Sequence, residues 1–209
     1  MAFGEHWEWR GFGDLSAPTR DKILQLTPKY GAGITMLDQY LWAPGCTVNV
    51  KIRQQDLKFK YLQSTAPEGF EQWKEDEKDN YPFPLNRTVL AQLEQALCIQ
   101  LPPAMTSPTV DTAQSLLNML QQATPPVACV AIEKFRNTYV YLFGGTEILV
   151  ELADIKNIDI NGQQEAKTLT SVSLEGEDLD LVRRTRDALG LPDLLQVKGY
   201  MQLIKEMVP

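Results

Sequence analysis

The chain has 209 residues, 44% of them apolar and 22% charged, with a formal net charge of −7. That length and apolar share support a real core in one large domain or two small ones, and the acidic balance excludes nucleic acid as the main partner, since nucleic-acid binders present a broadly basic surface. No apolar run reaches the length of a membrane span and no signal-peptide pattern opens the chain; Cys46, Cys98 and Cys129 are odd in number and widely spaced, so the expectation is a reduced cytoplasmic protein with structural thiols and no membrane partner.

Residues 5–10 read EHWEWR. Side chains alternate faces along a strand, so a strand here has an ionisable face of His6, Glu8 and Arg10 and an aromatic face of Trp7 and Trp9. Residues 19–31, with Ile23, Leu24 and Leu26 before Pro28 and Gly31, predict a short helix or turn that leads into a strand at 33–42. Ala43-Pro44-Gly45 is a turn signal. Two strands follow at 48–53 and 57–62, joined by Gln54, Gln55 and Asp56.

Residues 63–84 are polar and turn-rich, with another strand at 70–75. Over 86–99, Val89, Leu90, Leu93 and Leu97 make one helical stripe, stopped by Pro102-Pro103. A second helix is expected from Thr109 to about residue 122, burying Leu116, Leu117 and Leu120 and ending before Pro125-Pro126. These Leu stripes are packing surfaces, and the segment at about 85–125 is assigned no chemistry. A strand from Val127 to Arg136 is expected to turn at Asn137 and return over Thr138–Phe143. Gly144-Gly145 is a hairpin turn. A strand from 146 to 155 ends near Asp154, Asn161-Gly162 is a turn, and 168–175 is a strand. The tail reads as a helix at 177–189, closed by Gly190, a new segment from Pro192, and a last helix with Val197, Tyr200, Met201 and Ile204 on its apolar stripe. No repeat or linker divides the chain, which predicts a single domain over 1–209.

One rhythm recurs. Lys51 and Arg53 alternate with Val50 and Ile52, Lys58 and Lys60 with Leu57 and Phe59, and Lys134 and Arg136 flank Phe135. One such hairpin reads as lysines in water over an apolar core. Its repetition points to a closed antiparallel sheet whose inward residues are cationic. A dry, unpaired cationic interior is very costly, so the inside is wet or filled by an anion such as polyphosphate. Glu8, Asp154 and Glu175 fall on strand positions from which carboxylates suit Mg²⁺ or Mn²⁺, hard cations that prefer oxygen.

These stretches resemble the CYTH superfamily, the triphosphate tunnel metalloenzymes. The family's first ExExK strand is similar to His6-Trp7-Glu8-Trp9-Arg10. Its paired basic strands resemble Val50-Lys51-Ile52-Arg53 and Leu57-Lys58-Phe59-Lys60. Its KxR strand resembles Lys134-Phe135-Arg136, its Leu-Asp strand end Ala153-Asp154, and its ExE strand Ser173-Leu174-Glu175. Its closing motif resembles Lys198-Gly199-Tyr200-Met201. The order agrees along most of the chain. The resemblance implies an α+β fold: a closed antiparallel β-barrel of the triphosphate-tunnel type with flanking helices. It implies metal-dependent hydrolysis of a triphosphate-containing small molecule. Arg10, Lys51, Arg53, Lys58, Lys60, Lys134 and Arg136 would grip phosphate, Glu8, Lys60 and Arg136 would carry catalysis, and Glu8 and Glu175, with Asp154 as third acid, would bind Mg²⁺ or Mn²⁺. Phosphoryl transfer needs mainly positioning and charge neutralisation, which such a set supplies. Two family carboxylates are missing: His6 and Ser173 stand in their places, and Arg10 replaces a lysine. The cationic wall is therefore better kept than the metal site, and a non-catalytic barrel that binds polyphosphate or a phosphorylated ligand is the alternative. Removal of one cation, as in Lys60→Ala, is expected to relieve like-charge repulsion and raise the stability of the empty protein. The oligomeric state is open, a dimer included.

Overall fold

A computed structural model describes the chain except residues 1–3, 27, 29–30, 77, 79, 103–108, 192–194 and 209, and the side chains of 26 and 164–168. Pro103 and Pro192, expected to stop one helix and start another segment, lie outside the described residues.

In chain order the elements are β1 (Glu5–Gly13), α1 (Ala17–Leu26), β2 (Ile34–Trp42), β3 (Val48–Arg53), β4 (Asp56–Ala66), β5 (Phe70–Glu75), β6 (Tyr81–Pro82), β7 (Leu85–Asn86), α2 (Arg87–Leu97), β8 (Thr109–Val110), α3 (Ala113–Leu120), β9 (Ala128–Phe143), β10 (Thr146–Ile160), β11 (Gln163–Gly176), α4 (Leu179–Leu189), β12 (Gln196–Val197) and α5 (Tyr200–Met207). Eight strands close a barrel in the order β1-β11-β10-β9-β2-β3-β4-β5, with β5 returning to β1 and antiparallel pairing throughout. The fold is the expected α+β one, a closed antiparallel barrel with flanking helices, five of them among the described residues.

Each helix covers a particular part of the barrel. α2 and α3 pack Leu90, Leu93, Leu97, Leu116 and Leu120 on Leu41, Val50, Ile52, Leu57 and Phe59, the outward residues of β2–β4. Burial of each such side chain contributes about 1.5–3 kcal/mol. Asn86 starts α2 by accepting a hydrogen bond from the Val89 amide at 3.1 Å, which satisfies one of the helix's orphan donors. α4 and Ile23 of α1 lie over Trp9, Phe70, Val150, Leu152, Val172 and Leu174, and Gly190 ends α4 in the left-handed conformation, φ 69°. α5 plugs one end of the barrel with Tyr200, Leu203 and Ile204 against Phe12, Tyr40, Ile132 and Ile155. Among the described residues no helix is long and apolar enough to cross a membrane.

Several sequence expectations are corrected. Asn137 is no turn: β9 runs unbroken through it, paired with Leu152. The type I′ hairpin turns, with positive φ at both central residues, fall instead at Gly144-Gly145 (59°, 89°) and Asn161-Gly162 (52°, 89°), while Asn137 and Thr138 stay in the ladder with β10. Strands β4, β10 and β11 are longer than expected, because barrel closure supplies a partner for backbone that composition marks as polar loop; much of 63–75 is therefore sheet. Thr109 and Val110 form a short strand with β7, and α3 begins only at Ala113, capped by Thr112. Leu24 of α1 is exposed, and Val197 lies in β12, paired with Gly11, not in the last helix.

Candidate functional site

The inward parity of β1 is His6, Glu8 and Arg10, with Phe12 below them and Trp9 buried on the outer face. The cation-bearing parity of β3 and β4 also points inward, because Val50, Ile52, Leu57 and Phe59 are taken by the α2–α3 core. The result is a cavity of about 260 Å³. Arg10, Lys51, Arg53, Lys58, Lys60, Lys134 and Arg136 all line it, with Glu8, Glu75, Glu151 and Glu175. Cations thus outnumber carboxylates on this lining, inside a chain of net charge −7.

Arg10 is the hub. Its Nε donates to Glu8 Oε1 at 2.8 Å, and its Nη1 to Ser171 Oγ at 2.8 Å and Glu151 Oε1 at 3.3 Å. Its guanidinium lies 4.7 Å from the centre of the Tyr200 ring. Lys60 donates to the other Glu8 oxygen at 2.7 Å. Burial alone would raise the Glu8 carboxyl, but Lys60 and Arg10 hold it well below the usual carboxylate range. A second cluster surrounds Asp38, which is fully buried. Arg53 donates to it through Nε and, at 2.6 Å, through Nη2; Lys134 stands 3.3 Å away and Lys51 3.8 Å. Lys134 also donates to the Tyr200 hydroxyl at 3.2 Å. Tyr200, stacked on Tyr40 at 5.0 Å, is therefore the floor of the cavity, where α5 meets the charges.

Lys51 differs from its neighbours. Burial, then Arg53, Lys134 and Lys60, bring its ammonium down to about 7, against the pull of Asp38. Arg136 gives Nη1 to Glu151 Oε2 at 3.2 Å, while its Nε is buried with no hydrogen-bond partner among the described residues.

The acids are arranged differently from the sequence expectation. Asp154 is outside the cavity. On β10 the inward residues are Leu149, Glu151 and Ala153, so Asp154 faces out, where Arg20 of α1 donates to it at 2.6 Å. Glu151 is the inward acid of β10, held low by Lys134, Arg10 and Arg136 against its burial. Sequence reading missed it, with Asp38, Asn49 and Tyr40, and gave Tyr200 a place in the closing motif but no site role; parity along β2, β3 and β10 was the available signal for the first four. Glu8 stands opposite Glu175 on β11 and Glu71 on β5 in the ladder. Burial and the Glu8 charge push both neighbours up. His6 lines the cavity, and Ser173 donates to Glu175 Oε1 at 3.3 Å.

Whether these acids suit Mg²⁺ or Mn²⁺ is decided by their engagement. Both Glu8 oxygens are taken by cations, Asp154 is elsewhere, and among the described residues no three His, Cys, Asp or Glu side chains gather in a metal-holding group. To ligate a divalent ion, Glu8 would first have to release Arg10 or Lys60, and Glu71 and Glu175 stand beside it as ladder neighbours.

A second cavity of about 340 Å³ shares Arg136, Glu151 and Glu175 with the first and is otherwise lined by residues such as Ile34, Thr138 and Leu149.

No protein-family model matches the chain, and no curated protein matches it. Solved structures do. The chain is similar to a Hippeastrum protein, HpAC1, described as a putative adenylyl cyclase with a dominant triphosphatase activity, at 11% identity and a TM-score of 0.51 over 98% of this chain and 96% of that one. It is also similar to the PH1819 protein of Pyrococcus horikoshii, at 11% identity and TM-score 0.42 over 97% and 99%, and to a conserved hypothetical protein of Pyrococcus furiosus, at 11% and 0.45 over 95% and 99%. At such identities the likeness to HpAC1 is one of fold: the barrel with its flanking helices.

Proposed function

We propose that the protein binds a small triphosphate or short polyphosphate anion in the central cavity, as a CYTH-type barrel. The observation that carries this reading is the convergence of seven cations on one space of about 260 Å³, somewhat below the ~300–1,000 Å³ of pockets for drug-sized ligands. Arg10, Arg53 and Lys134 are held in place by Glu8, Asp38 and Glu151. Lys51, Lys58 and Lys60 face the ligand from the β3–β4 wall, and Arg136 offers its buried Nε from the other side. Charge-assisted bonds of this kind are the strong ones, and Arg suits the forked geometry of phosphate oxygens.

A second reading is Mg²⁺- or Mn²⁺-dependent hydrolysis of the bound triphosphate, in which Glu8, Lys60 and Arg136 act on the substrate. The row Glu71–Glu8–Glu175 favours it, since three adjacent carboxylates are oxygen donors of the right chemistry, and the triphosphatase activity described for HpAC1 agrees with it. The engagement of Glu8 by Arg10 and Lys60 weighs against it.

One experiment separates the two. Phosphate release from tripolyphosphate is measured with Mg²⁺ or Mn²⁺, beside a thermal shift with tripolyphosphate alone, for the wild type and Glu8→Gln. A shift without metal and no release supports the binding barrel. Metal-dependent release that Glu8→Gln loses selects the hydrolase. Neither shift nor release removes both.

A further inference from the structure

Outside the cavity lining, Cys98 packs against the turn that leads into Cys46. Cys98 follows α2 in the left-handed conformation, φ 57°, with its thiol exposed. Its Sγ lies 3.7 Å from the carbonyl oxygen of Gly45, and the Gly45 peptide leads directly into Cys46. Gly45 turns the chain between β2 and β3 with φ 87°, and the Cys46 amide closes that turn on the Ala43 oxygen at 3.2 Å. Cys46 is half-buried against the core under α2. Burial pushes the Cys46 thiol up, against a backbone hydrogen bond from Ala43, and Cys98 adds to that push. A residue with a Cβ pays for the left-handed conformation that glycine adopts freely, so nothing about the helix end itself selects cysteine at position 98.

We propose that Cys46 and Cys98 are a redox-responsive pair that closes into an intramolecular disulfide when the protein meets a hydroperoxide. The exposed Cys98 reacts first. Its thiolate sulfur attacks one peroxide oxygen, the O–O bond breaks, and water leaves, so that the sulfur is oxidised to a sulfenic acid. Cys46, having lost its proton, then attacks the Cys98 sulfur; the S–S bond forms, the S–OH bond breaks and a second water leaves. Two thiols are oxidised and one hydrogen peroxide is reduced to two waters. The side-chain rotation needed is local, because the Gly45 turn and the end of α2 already touch. The bond ties α2 to the turn from which β3, with Lys51 and Arg53, departs. Cys129 is the internal reference: it is partly buried on β9, and burial and Asp159 push its thiol up to about 11, which slows its reaction.

The test uses the whole protein. It is treated with graded hydrogen peroxide, alkylated, digested and mapped by mass spectrometry. The expected result is an intact mass lower by two hydrogens, a linked peptide holding Cys46 and Cys98, an alkylated Cys129, and full reversal by dithiothreitol. Cys98→Ser abolishes the linked peptide and Cys129→Ser leaves it. Oxidation is also expected to raise the thermal midpoint reversibly, since the bond closes a long loop of the unfolded chain. A disulfide-linked dimer through Cys98, over-oxidation of Cys98 with Cys46 still alkylated, or no linked peptide at any peroxide dose overturns the proposal.

Discussion

The two sides of the cavity are built by opposite means. On β3 and β4, Lys51, Arg53, Lys58 and Lys60 make a cationic wall whose partners mostly come from elsewhere in the barrel. On β5, β1 and β11, Glu71, Glu8 and Glu175 form an acidic row in which burial and the Glu8 charge raise Glu71 and Glu175. The cationic side is held by Asp38 from behind, on β2; the acidic side is held by Arg10 and Lys60 from in front. Removing a charge therefore does different things on the two sides, and the difference can be measured.

The largest effect is expected at Asp38. It is fully buried and faces Arg53, Lys134 and Lys51. Asp38→Asn leaves those cations uncompensated, and loss of one partner of a buried ionic cluster costs about 3–5 kcal/mol. Denaturant unfolding should show that loss, with tripolyphosphate restoring part of it. A loss under about 1 kcal/mol would mean that solvent screens the cluster, contrary to its burial.

Lys60→Ala comes next. The expectation from sequence, that it stabilises the empty protein, is reversed by the structure: Lys60 holds Glu8 at 2.7 Å, and without it Glu8 faces Glu71 and Glu175. A loss of about 1.5–3 kcal/mol is expected without ligand, together with weaker tripolyphosphate binding by roughly tenfold or more. Calorimetric titration and unfolding of the same variant check both; higher stability would restore the repulsion view.

A third, smaller effect distinguishes Lys51. With its ammonium at about 7, its contribution to anion binding fades as pH rises through that value. The folded value lies below the unfolded one of about 10.4. The unfolded chain therefore holds more protons between the two, and this group's share of stability rises with pH across that window and is flat below about 7. Affinity for tripolyphosphate measured from about pH 6 to about pH 8.5 should fall less steeply in Lys51→Met than in the wild type. Identical profiles would show that Lys51 stays charged throughout.

The smallest effect lies in the turn that joins the cationic strands. Gln54 and Gln55 both hold positive φ, 51° and 67°, where non-glycine residues are strained. Replacing the pair with Asn-Gly should raise stability by about 1 kcal/mol with no change in anion affinity. A changed affinity would mean that the turn sets the positions of Lys51 and Lys58.

What was legible in the sequence follows from local periodicity. The Leu stripe of α2, the cap at Gly190, the glycine turns at 144–145 and 161–162, and the alternation of Lys51, Arg53, Lys58 and Lys60 each need only a few neighbouring residues to be read. Lys134 and Arg136 were visible in the same way. The acids were less so. Asp154 and Glu151 differ by three positions, hence by opposite parity on one strand, and only the register of β9, β10 and β11 tells which faces in.

By itself the sequence determined that strands with apolar and cationic faces alternate with two helical stripes and a capped tail, because those patterns are local and repeat with fixed periods. The tertiary structure alone decided that β9 passes through Asn137, that Asp38, Glu151 and Tyr200 meet the cations, and that Glu8 is bound by Arg10 and Lys60. Those facts depend on closure of the barrel. It sets residues more than a hundred positions apart within hydrogen-bond distance, as in the Arg10–Ser171 pair, and desolvates charges that a strand in water would leave apart.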